Sequence, residues 1–167
     1  MKRQTRLWIA AALMLAAAGA ASAGTVQVSY QEPDKFIDVP FWEQDRAQLL
    51  KELTAHFEHL GKQLPANQQL KITVTEIDLA GRVEPRRNTL RDIRILRGGA
   101  DWPTMQLKYA LEEEGKVLAS GESNLNNMDY LHGINHYRSG DLLRYEKPML
   151  DNWFKATFKV PTQLSKK

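Results

Sequence analysis

The chain has 167 residues with no cysteine, and its 23 Lys and Arg stand against 20 Asp and Glu. Three of the basic residues, Lys2, Arg3 and Arg6, precede Gly24, which leaves 20 basic against 20 acidic residues from there on. A disulfide scaffold is excluded, and a neutral domain has no global field with which to gather nucleic acid.

In chain order, Lys2, Arg3 and Arg6 form a positive n-region, Leu7–Ala18 a short apolar run, and Ala21-Ser22-Ala23 the small residues that a signal peptidase needs. The apolar run is shorter than the roughly 20 residues that span a bilayer. We therefore expect a signal peptide over residues 1–23, cleavage between Ala23 and Gly24, a single domain over 24–160, and a polar tail over 161–167. No transmembrane segment is expected after cleavage, and the location implied is periplasmic or secreted.

Thr25–Tyr30 alternates Val26, Val28 and Tyr30 with polar residues, as a half-buried strand does. From Trp42 to about Gln63 the period becomes helical: Leu49, Leu53, Phe57, Leu60 and Leu64 form one stripe, and Lys51, Glu52, Glu58 and Lys62 face water. Leu70–Gly81 is the most strand-like stretch. Leu70, Ile72 and Val74 alternate with polar residues, Glu76 breaks the phase, and Ile77 and Leu79 resume one place out. An extra residue near Thr75–Glu76, a β-bulge, returns all five apolar side chains to one face. Strand, helix, strand in this order implies a parallel crossover.

Asp92–Leu96 predicts a short strand, Met105–Glu112 a longer one, and Glu113–Lys116 the turn of a hairpin into Val117–Glu122. Ser123–Gly140 reads as loop. A last helix over Tyr145–Phe158 would bury Met149, Leu150, Trp153, Phe154 and Phe158, with Pro148 tolerated only in its first turn. The fold class is α+β: a two-layer sandwich, a mixed sheet of about five strands with two helices on one face. The other face would carry Gln27, Ser29, Lys71, Thr73, Gln106 and Lys108 to solvent.

Ile72–Gly81 (ITVTEIDLAG), Ser120–Tyr130 (SGESNLNNMDY) and Leu143–Phe154 (LRYEKPMLDNWF) together resemble an exported bacterial family catalogued as domain of unknown function 3016. The resemblance runs from Val26 to about Phe158. It implies one exported domain and brings no activity, cofactor or partner with it.

His56 and His59 stand three apart on the first helix, and His132 and His136 four apart in the Asn-rich loop. Without cysteine or a His-Glu-x-x-His pattern, no metal site is expected, and His56 and His59 border an apolar stripe where imidazoles pack. Arg82, Arg86, Arg87, Arg91, Arg94 and Arg97 concentrate in one stretch. Guanidinium groups receive phosphate or carboxylate through bidentate forks, so Arg82, Arg86, Arg87 and Arg91 are anion-binding candidates. The competing reading is a solvated loop paired with nearby acids. Asp78, His132, His136 and Glu146 are candidates for a hydrolase-like or metal-dependent site, and Asn126 and Asp129 are further polar-loop candidates that can also cap and turn the loop. No nucleophile has a recognisable base beside it, and neither a phosphate-cradling loop nor a Gly-x-Ser-x-Gly elbow is present. No cofactor is expected. The reading that results is a non-enzymatic binding or accessory module of the envelope, whose partner is an envelope protein or an anionic envelope component and not nucleic acid. The alternatives are anion recognition through Arg82–Arg97 and an enzyme.

Overall fold

The structure, a computed structural model, describes residues 23–84 and 93–159, with Val83 and Ile93 by backbone alone. In chain order the elements are β1 (Thr25–Tyr30), a 3-10 turn (Pro33–Lys35), α1 (Glu43–Gly61), β2 (Gln68–Asp78), β3 (Arg82–Glu84), β4 (Ile93–Ile95), β5 (Thr104–Glu113), β6 (Lys116–Asn126) and α2 (Glu146–Phe158). One mixed sheet has the order β1-β2-β5-β6, and β3 and β4 form a separate antiparallel ribbon. The short strand expected over Asp92–Leu96 therefore forms, but outside the main sheet, which has four strands. Its partner is the three-residue β3, which lies just past Gly81 and is too short to show a period in sequence.

β1 runs parallel to β2, and β2 is antiparallel to β5. The expected bulge is present: pairing slips between Val74 and Glu76, leaving Thr75 without a partner. The slip brings Leu70, Ile72, Val74, Ile77 and Leu79 onto the core face, none more than 3% exposed. Past β1 the chain returns to β2, where Ile37 N donates to Ile77 O at 2.8 Å.

β5 and β6 join through Glu114 and Gly115, both at positive φ, the geometry a two-residue hairpin turn needs. β6 continues to Asn126, four residues beyond the stretch read as strand. Ser123 and Leu125 face inward, while the polar Glu122, Asn124 and Asn126 face solvent, and this alternation in a polar run looks like loop.

α1 buries Leu49, Leu53, Phe57 and Leu60, and α2 buries Met149, Leu150, Trp153 and Phe154, in one core with β2 and β5. Pro148 is the third residue of α2, within the first turn, where its missing amide costs no helical bond. Gly61 permits the close approach of α1 to β1, since a Cβ there would fall 2.1 Å from Val26 Cγ2. On the other face Gln27, Ser29, Lys71, Gln106 and Lys108 are exposed and Thr73 is half-buried. No helix of the described residues is long and apolar enough to cross a membrane.

Candidate functional site

The topology gathers the long loops at one end of the sheet. β1, β2 and β6 end there and β5 begins there, as their registers require. Both helices start at the same end. The C-terminal residue of α1, Gly61, lies against Val26 near the start of β1, and the first residue of α2, Glu146, bonds Ala80 just past β2.

Glu146 is fully buried at this end. One carboxylate oxygen accepts from Ala80 N at 3.1 Å, and the carboxylate pairs with the Arg94 guanidinium. Arg94 also donates to Ala80 O and, at 2.9 Å, to Leu142 O. The pair thus ties the ribbon, the Leu79–Gly81 turn and the start of α2 together. A backbone amide and a guanidinium are the kind of partners that burying a carboxylate demands.

Beside this clamp Asp78 ends β2, with Asp38 and Asp101 near it. Burial, then the charges of Asp38 and Asp101, push the Asp78 carboxyl up. Asp38 is raised likewise, by burial and then by Asp101. Asp101 itself is engaged, accepting Gly81 N at 3.1 Å. Arg82 pairs with Glu84 on the ribbon. Arg86, Arg87 and Arg91 lie outside the described residues, as do residues 1–22 of the expected signal, residue 160 and the expected tail, 161–167.

The remaining polar candidates do not converge. His132 sits 3.2 Å from Asp129, both well exposed. Asn126 and His136 are exposed. Among the described residues no three His, Cys, Asp or Glu side chains stand close enough to share a metal ion. Two concavities, one bounded by Leu64, Leu111, Ala119 and Phe158 and the other by Gln31, Thr75, Lys108 and Glu122, contain none of the candidates.

A second polar cluster was not legible in sequence. His56, buried on α1, makes no in-line hydrogen bond through Nε2, which lies 3.0 Å from Asp151 Oδ1 on α2. Tyr137 donates to Asp151 Oδ2 at 2.7 Å, and its ring meets His56 edge-on. Burial alone would raise Asp151, yet His56 and the Tyr137 hydroxyl hold it below the usual carboxylate range. Burial, and then Asp151, push Tyr137 well above the ordinary phenol. The one sequence signal was the place of His56 within the α1 stripe, between Leu53 and Leu60. The cluster fastens α1, α2 and the preceding loop and opens into no described cavity.

Exposed apolar side chains also collect at the loop end. Ile37, Phe41 and Trp42 lie on the loop before α1, and Met128, Leu131, Ile134 and Leu142 on the loop before α2. Phe41 is 81% and Ile134 87% exposed. Of the nine large apolar residues exposed among the described residues, only Val117 and Leu118 lie at the opposite, hairpin end.

Comparison with solved structures finds distant likenesses, among them the following. A Xanthomonas campestris protein of family model DUF330 is 15% identical, with 83% of each chain covered and a TM-score of 0.39. A putative neuraminyllactose-binding hemagglutinin homolog from Helicobacter pylori is 13% identical over 88% of this chain and 84% of that one, at 0.28. A Neisseria meningitidis lipoprotein is 17% identical over 82% and 98%, at 0.30. No curated protein matches. The family model described as "Protein of unknown function (DUF3016)" matches residues 24–156, and the chain belongs to that family.

Proposed function

We propose that the protein is an exported, periplasmic binding or accessory module that meets an envelope partner through the loop end of its sheet. The observation that carries this reading is that, among the described residues, seven of the nine exposed large apolar side chains lie on two loops at that end. Concentrated apolar exposure is the usual mark of an interaction surface. Export is supported by the basic and apolar segments ahead of Ala21-Ser22-Ala23 and by a family match that begins at Gly24. The test is site-specific photo-crosslinking in intact cells, with the probe at Trp42, Ile134 or, as control, Glu58 on the solvent side of α1. Discrete adducts from Trp42 and Ile134, absent from Glu58, are expected. Equal patterns from all three positions would overturn the reading.

A second reading, anion recognition, rests on the ribbon lying at the same end with Arg82 and Arg97 exposed. Replacing Arg86, Arg87 and Arg91 with Gln should then weaken binding to anionic vesicles and remove most of its salt dependence. Unchanged, salt-insensitive binding would eliminate it.

A further inference from the structure

β6 is an outer strand of the sheet, and the direction of its free backbone groups follows from one bond. Asn127 N donates to Pro103 O at 3.2 Å, so residues 103 and 127 are a hydrogen-bonded pair of the antiparallel ladder. Bonded pairs recur every second residue, which makes Met105–Leu125, Leu107–Ser123 and Tyr109–Gly121 the next ones. Gly121, Ser123 and Leu125 therefore use amide and carbonyl on β5, while Ser120, Glu122, Asn124 and Asn126 turn theirs outward. Among the described residues no backbone hydrogen bond receives them. The strand contains no proline, its bulge lies ahead of Ala119, and its lysine stands at the far end. The devices that usually blunt an edge are thus missing from its second half.

We propose that this edge pairs antiparallel with β6 of a second copy of the chain, joining the two sheets across a two-fold axis at Gly121. Charge selects the register. An axis at Glu122 would set two carboxylates directly opposite each other, which is unfavourable. An axis at Ser123 would bring two Ser123 side chains, each already accepting from its own Trp153, into the closest pair. With Gly121 on the axis, Ser120 faces Glu122 of the second copy within the regular stretch that follows the bulge. Each Glu122 keeps its own counter-ion, Lys108 at 2.9 Å. The axis is a non-bonded pair, where backbones come closest, and glycine places no side chain there.

Sedimentation equilibrium over a wide concentration range should show a monomer–dimer equilibrium. Ser120→Pro removes an amide that bonds nothing within the chain, so the fold should persist by circular dichroism. Association should weaken by more than about tenfold, the factor that about 1.4 kcal/mol represents. Ser120→Lys should tighten association several-fold and Ser120→Glu loosen it, because both stand opposite Glu122 of the second copy. The chain has no cysteine, so a Ser120→Cys, Glu122→Cys double variant should oxidise to a covalent dimer across the axis. A monomer at every concentration would overturn the proposal, as would a dimer that ignores Ser120→Pro or the sign of the charge at position 120.

Discussion

Replacing Arg94 with methionine keeps most of the side chain's reach and deletes the guanidinium. Glu146 is 0% exposed and the Arg94 side chain 20%, so the pair is inaccessible on one side and only partly hydrated on the other. Without Arg94 the Glu146 carboxylate keeps one partner, Ala80 N, and the carbonyls of Ala80 and Leu142 each lose a donor. Removing one member of a buried pair costs about 3–5 kcal/mol, because the remaining charge stays desolvated. The residual hydration of Arg94 places this case near 3 kcal/mol, a sizeable part of a domain stability of roughly 5–15 kcal/mol. Urea unfolding measures it. With a slope of about 1–3 kcal/mol per molar, the midpoint should fall by about 1 M or more at unchanged slope. Methionine at both positions should recover much of the loss, since the second change removes the stranded carboxylate. A midpoint that moved as little as an exposed ion pair allows, about 0–1 kcal/mol, would refute the clamp.

Trp153→Ala should cost about 3–5 kcal/mol in the same assay, since the indole is 7% exposed, packs on Phe57, Tyr109 and Phe158, and donates to Ser123 Oγ at 3.1 Å. Burial and the neighbouring acids raise Asp78, so its charge opposes folding above its folded pKa. Asp78→Asn should therefore stabilise the protein at neutral pH, and the difference should vanish in acid below about pH 3.9, where the unfolded carboxylate is protonated as well. Asp151 is shifted the other way, so its contribution is present above about pH 3.9 and is lost as pH falls through its depressed folded value. Asp151→Asn should be less stable than the native chain at neutral pH, with the gap closing on acidification; parallel pH curves would contradict the His56–Asp151–Tyr137 arrangement.

The sequence by itself determined the layers, both helices, the hairpin turn and the bulge near Thr75, because each is written in the spacing of neighbouring side chains. Periodicity carries that information over a few turns or a few residue pairs and needs no knowledge of distant parts of the chain. Where a strand was three residues long, as in β3, or polar on its outer face, as in the last third of β6, the period had too little contrast to be read. The tertiary structure alone decided which polar residues meet. Glu146 stood in sequence as one candidate acid among many and Arg94 as one of six arginines; in the fold they form a buried pair between residues 52 apart. His56, Asp151 and Tyr137 come together from two helices and a loop, and Ile37, Phe41, Met128 and Ile134 reach one end because the strand directions carry their loops there. Such meetings depend on crossovers and register, which fix distances between segments that the linear order leaves free, and a charged residue has the same sequence appearance whether water or a buried partner compensates it.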